Sequence, residues 1–105
     1  MGRFTEQALT MLLSPSVKHA FDLSQESEKT KEAYGRTRVG QSVLMARRLV
    51  EAGCRFVSTS EYTHGAWDTH KNNKQVLRDK LAPTLDQALS ALLEDLQQRG
   101  LLDST

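Results

Sequence analysis

Cysteine is all but missing from this sequence. Cys54 stands alone, so no internal disulfide can form and no second thiol is present to build a zinc knuckle. The thiol reads as a small buried hydrophobe, and it leaves the redox compartment open. Long apolar runs are missing too: none approaches the roughly 18 residues needed to cross a bilayer, and Met1-Gly2-Arg3-Phe4-Thr5-Glu6 lacks the charged-then-apolar layout of a signal peptide. Neither sign of charge prevails, since 14 basic against 13 acidic residues leave a net charge of +1. No bulk electrostatic pull toward nucleic acid or an anionic membrane follows from that balance. Internal repeats and low-complexity tracts are absent as well. What remains is 105 residues with 38% hydrophobic and 26% charged content, a composition in the globular range and a length matching one domain or part of one.

Helical periodicity dominates. Phe4, Ala8, Met11 and Leu12 recur at helical spacing up to Ser14-Pro15, where Ser14 can cap a short second helix through Val17, Ala20 and Phe21 with proline in its first turn. Asp22 to Ser27 reads as a loop. Glu28 to Tyr34 is a charged surface helix that Gly35 can close in a left-handed conformation. Val39, Val43, Ala46 and Val50, with Leu49 widening the stripe, describe an amphipathic helix that turns Arg47, Arg48 and Glu51 away from its apolar side and stops at Gly53. From Lys74 the period returns through Val76, Leu77 and Leu81, bends or restarts at Pro83, and continues through Leu85, Leu89, Leu92, Leu93 and Leu96 to Gly100.

Between these helices, Cys54-Arg55-Phe56-Val57-Ser58-Thr59-Ser60 has the β-branched and aromatic content of a strand. The order helix, strand, loop, long helix predicts an α/β class, mostly helical with one clear strand. A lone strand leaves its backbone donors and acceptors unpaired, whereas a second strand after the long helix completes a right-handed crossover. Residues 1–105 therefore read as a single incomplete domain, a piece of a larger α/β unit. Its unpaired strand edge, beside a leucine-rich helix, predicts self-association.

The loop after the strand is the one element with the look of a site. Ligands in open α/β sheets collect at the carboxyl ends of strands, where Gly65-Ala66-Trp67-Asp68-Thr69-His70 falls. If the backbone is extended there, Asp68 and His70 share a face, and His64 is available as an accessory group. A carboxylate beside an imidazole suits a divalent metal or an acid/base pair. The competing reading is structural: Asp68 or Asn72 caps the next helix, His70 is a solvated polar residue and Trp67 plugs the core edge. Ser42 has no visible base and reads as a capping or surface hydroxyl. Arg36, Arg38, Arg47 and Arg48 read as a solvated basic face rather than a nucleic-acid patch. His19 packs near Phe21 or faces water.

Several runs also follow one another as in a known family: Ala20-Phe21-Asp22-Leu23-Ser24, then Tyr34-Gly35-Arg36-Thr37-Arg38 with Gly40-Gln41-Ser42. Ala46-Arg47-Arg48-Leu49-Val50-Glu51-Ala52-Gly53 with Arg55-Phe56-Val57, Trp67-Asp68-Thr69-His70 and the closing Ala91 to Leu96 and Arg99 to Thr105 continue the series. Over nearly its whole length the chain resembles the sulfatase-like domain of unknown function numbered fifteen hundred and one. The resemblance implies an alkaline-phosphatase-like sheet flanked by helices, in a superfamily of metal-dependent phosphatases, sulfatases and phosphomutases, and an exported bacterial origin. It matches Asp68 and His70 to the family's aspartate and histidine, and it implies a zinc, manganese or magnesium ion acting on a small phosphate or sulfate ester. Ala66 departs from the second glycine usual before the tryptophan. The family's Gly-Arg-Thr run and its later Asp-His pair fall beyond Thr105, so the resemblance implies an incomplete metal site and an inactive piece. Two functions stay open: part of a metal-dependent hydrolase-like protein, or a noncatalytic binding or scaffold module whose Asp68-His70 loop is structural.

Overall fold

The computed structural model of the chain describes residues 2–59 and 66–105. In order these form α1 (Arg3–Leu13), α2 (Pro15–Ala20), a 3-10 turn (Leu23–Gln25), α3 (Glu28–Tyr34) and α4 (Arg38–Glu51). After the loop come α5 (Asn73–Val76), one wide π turn (Leu77–Leu81), α6 (Ala82–Gln98) and a final 3-10 turn (Leu102–Ser104). Helices α3, α4 and α6 pack on one another, α2 rests on α4, and α1 touches α2. No helix among the described residues is long and apolar enough to cross a membrane.

The α/β expectation is overturned. Among the described residues there is no strand, and the fold is all helical. Residues 54–59 run without regular structure, and Phe56, the aromatic that favoured a strand there, is 99% exposed. The physical reason is that β-propensity records how well a side chain fits a paired, half-buried surface. With no second strand among the described residues, residues 54–59 have no ladder to join there. The strand edge that led us to expect self-association is therefore missing from the described segment.

The helix boundaries follow local chemistry. Ser27 and Thr37 accept hydrogen bonds from the backbone N–H of Thr30 and Gly40, at 3.2 and 2.9 Å, and so start α3 and α4. These are the orphan donors that N-caps satisfy. Pro15 opens α2 as expected, although Ser14 spends its hydroxyl on Ser16 at 2.9 Å rather than on a cap. Both long helices close alike. Gly53 and Gly100 have φ of 107° and 72°, and the next residue donates back across the glycine, Cys54 N–H to Leu49 O at 3.0 Å and Leu101 N–H to Leu96 O at 2.8 Å. This is the Schellman arrangement.

The restart foreseen at Pro83 takes the form of the π turn. A proline ring crowds the carbonyl four residues back and offers no N–H. Widening the turn just before it relieves the clash, and Ala82 N–H reaches back five residues to Leu77 O. The axis continues instead of breaking.

The junction between α3 and α4 is tightly packed. Gly35 turns with φ 97° and ψ 135°, a positive φ outside the left-handed helical cap expected of it. A Cβ on Gly40 would fall 2.3 Å from the carbonyl oxygens of both Tyr34 and Gly35. Gln41 ties the turn by donating Nε2–H to Gly35 O at 2.8 Å and Lys31 O at 3.2 Å. The buried apolar core is small: Val17, Ala20, Tyr34, Leu44, Leu81, Ala88 and Leu96.

Candidate functional site

The loop expected to carry chemistry is described from Ala66 onward. His64 and Gly65 lie outside the described residues. Asp68 and His70 do come together, with His70 Nε2 3.5 Å from Asp68 Oδ2, and their side chains are 79% and 86% exposed. Asn72 follows in the left-handed conformation with φ 53°, and its side chain makes no capping hydrogen bond to α5. Thr69 Oγ1 instead bonds Asn73 Oδ1 in the first turn of α5. Trp67 is exposed rather than plugging the core. Among the described residues no group of three His, Cys, Asp or Glu side chains stands close enough to hold a metal ion. The loop therefore presents an exposed Asp-His pair with no third such group beside it among the described residues.

A separate groove of about 550 Å³ runs along α4, lined by Phe21, Leu23, Gln41, Ser42, Met45 and Leu49 on one side and by Val57 to Thr59 on the other. Ser42 opens into it. Neither Asp68 nor His70 lines it, so the hydroxyl and the Asp-His pair do not form one site among the described residues.

The largest surprise lies in the arginines. Arg36 fits the solvated face expected of it, pairing with Glu28 and with Glu32 at 2.8 Å at the surface. Arg47 and Arg48 do not, because both are buried, Arg47 to 1% exposure. The reading of α4 that turned them to solvent is corrected. Arg47 pairs with Glu26 and with Glu51, each at 2.7 Å, and its Nε lies 2.9 Å from Asp95 Oδ2. That last contact is an ion pair without a hydrogen bond, since the Nε–H finds no acceptor in line. Arg48 reaches Glu26 at 2.6 Å and caps the carbonyls of Ala20 and His19, both at 2.8 Å, holding the end of α2 against α4. Arg99 bonds Asp95 at 2.8 Å and Glu51 at 3.1 Å, and the Tyr34 hydroxyl donates to Asp95 at 2.8 Å.

Three guanidiniums thus face the three carboxylates of Glu26, Glu51 and Asp95, and the cluster is neutral overall. Burial by itself would raise the Glu26 carboxyl, but hydrogen bonds from Arg48 and Arg47 outweigh it and hold the group below its ordinary range. Asp95 is likewise held low, burial being overcome by Arg99, Tyr34 and the Arg47 charge. Burial, with the Asp95 carboxylate alongside, pushes the Tyr34 hydroxyl up. The cluster clamps α2, α4 and α6 together, and each of its charges is already matched.

Only two of its pairs are legible from spacing, Arg47 with Glu51 and Arg99 with Asp95, each four residues apart on one helix. The links to Glu26 and across α4 to α6 join residues far apart in sequence. They carry no local signal.

Comparison with known proteins places these residues in a family. The model of a family described as "Protein of unknown function (DUF1501)" matches residues 1–105, the whole of the chain. No curated protein and no solved structure matches.

Proposed function

The chain belongs to the DUF1501 family, and from that premise we propose that it serves in a metal-dependent hydrolase-like protein of the phosphatase and sulfatase kind, with Asp68 and His70 as two ligands of a divalent ion. The observation that carries this reading is the 3.5 Å separation between Asp68 Oδ2 and His70 Nε2. Zinc-bound oxygen and nitrogen donors sit about 2.0–2.2 Å from the ion, which around a tetrahedral centre sets them roughly 3.4 Å from each other. The pair fits that bite, and its exposure leaves room for further ligands from outside the described residues, His64 among them. Bound there, zinc, manganese or magnesium would supply Lewis-acid stabilisation of charge on a phosphate or sulfate ester. The chain's own part is to hold a carboxylate and an imidazole side by side.

Metal content of the natural protein carrying this chain tests the reading. Asp68→Asn and His70→Ala should each lower the bound metal per chain, as measured by elemental mass spectrometry after dialysis. Unchanged metal in both variants removes the site. Asparagine keeps hydrogen-bonding capacity at position 68, so metal lost without a fall in stability points to ligation rather than to a damaged loop.

A noncatalytic binding or scaffold module is the second reading. It is favoured by the architectural work of the residues that carry the family likeness: Tyr34, Gly40, Gln41, Arg47 and Arg48 all build the packing of α2, α3, α4 and α6. On this reading Asp68→Asn and His70→Ala leave metal content untouched.

A further inference from the structure

Helices α1 and α2 are joined to the rest of the molecule over a small footprint. α1 packs chiefly on α2 and α2 chiefly on α4, whereas α3, α4 and α6 pack on one another. Every described side chain of α1 is exposed, and α2 buries only Val17 and Ala20. Beside that footprint lies a cleft of about 660 Å³, lined by Ser16 and His19 on the α2 side and by Arg47, Glu51 and Arg99 on the other.

Arg48 spans the seam between α2 and α4. It donates Nε–H to the Ala20 carbonyl and Nη2–H to the His19 carbonyl, both at 2.8 Å, while its Nη1 reaches Glu26 at 2.6 Å. Its charge is therefore matched by a carboxylate on the α3 side of the seam, and what it grips on α2 is a pair of backbone carbonyls. Breaking that grip hands the carbonyls and two N–H groups to water but strands no charge. Separating α4 from α6 would instead pull Arg47 from Asp95 and Arg99 from Glu51, a far costlier step in a buried setting. Between the two parts the 3-10 turn closes on Asp22, which accepts from Ser24 N–H at 3.1 Å and Gln25 Nε2–H at 3.3 Å. The chain thus has a fixed pivot ahead of α3.

We propose that α1 and α2 form an arm that leaves the body of α3, α4 and α6 as one unit, with Arg48 as its latch and Phe21 and Asp22 as its pivot. Opening widens the cleft over Arg47, Glu51 and Arg99 and moves Phe21, which forms part of the wall of the groove along α4. Helices of 11 and 6 residues hold poorly in water without a surface to pack on. The freed arm therefore exchanges its amide hydrogens while the body keeps its own, the behaviour of a separately opening unit.

Hydrogen exchange followed by mass spectrometry, on the natural protein carrying this chain, provides the test. Amides of residues 7–13 and 18–21 should exchange together and well before those of α4 and α6. Arg48→Lys keeps a cation beside Glu26 and removes the fork that grips both carbonyls. It should speed exchange in both arm helices by at least about ten-fold and leave α6 unchanged. Val17→Ala, which trims the apolar seat of the arm without touching the latch, should give the same regional pattern. Arm amides no faster than those of α4 and α6, or exchange raised equally in arm and body by both variants, show one cooperative unit and overturn the proposal. Arm exchange unmoved by Arg48→Lys removes the latch, and a response in α2 without α1 removes the unit; either overturns it equally. None of these results depends on metal at Asp68 and His70.

Discussion

Gly40 is a position where one methyl group decides whether two helices can meet. Its Cβ would stand 2.3 Å from two carbonyl oxygens, and both belong to backbone that cannot swing aside. Gly40→Ala should therefore lower the unfolding free energy by about 1–3 kcal/mol, measured by urea denaturation, through forced displacement of the α3 to α4 turn. Gly53 offers the contrast. A Cβ there meets nothing within 4 Å, and its requirement comes only from a φ of +107°, so the cause at that position is backbone strain and not collision. The sequence shows a glycine at both places, but only the fold reveals which kind each is. The Asp68-His70 pair was legible at this scale because two residues suffice to make it. The burial of Arg47 is not legible at this scale, because a buried guanidinium requires carboxylates and, apart from Glu51, those it meets, Glu26 and Asp95, are distant in sequence.

Among the elements, α3 and α4 lie within a residue or so of where periodicity puts them, because their caps and stops are local chemistry. Thr37 anchors the start of α4 through its 2.9 Å bond from Gly40 N–H. Thr37→Ala should cost about 1 kcal/mol in thermal or urea unfolding, with Thr37→Ser recovering most of it. A loss no larger than that of an exposed helix-surface substitution would mean that the packing of Gly40 alone holds this helix start. The segment 54–59 shows the opposite case. Val57 and Thr59 favour a strand wherever a neighbouring strand accepts them, and the described residues contain no such neighbour, so propensity has nothing to act on. The π turn lies between the two cases. Pro83 announces a disturbance, yet proline alone does not say whether the helix will break, kink or widen.

At the scale of the whole molecule, the neutral cluster of Glu26, Glu51, Asp95, Arg47, Arg48 and Arg99 makes the helical assembly sensitive to acid. Glu26 and Asp95 titrate lower in the folded chain than their ordinary values of 4.5 and 3.8. The folded state therefore binds fewer protons than the unfolded state in acid, and the stability these groups contribute is fully present above those values. It is lost as the pH falls through the lower folded values. Urea midpoints should stay level from neutral pH down to about pH 5 and then drop steeply. Glu26→Gln should flatten that acid limb while lowering stability at neutral pH, because Arg47 and Arg48 lose a shared charged partner. An acid limb unchanged in Glu26→Gln would place the proton uptake elsewhere.

The amino-acid sequence by itself determined the family, the helical segments with their glycine stops, and the adjacency of Asp68 and His70. Each of these follows from residues within a few positions of one another or, for the family, from the order of residues along the chain. Tertiary structure alone decided that residues 54–59 form no strand, that Arg47 and Arg48 are interior, and that the helix widens into a π turn before Pro83. Those outcomes depend on which distant groups arrive to pair, to neutralise charge or to fill a turn. Backbone hydrogen bonds and buried charges are satisfied only by partners in space, and short-range spacing does not specify where those partners will be.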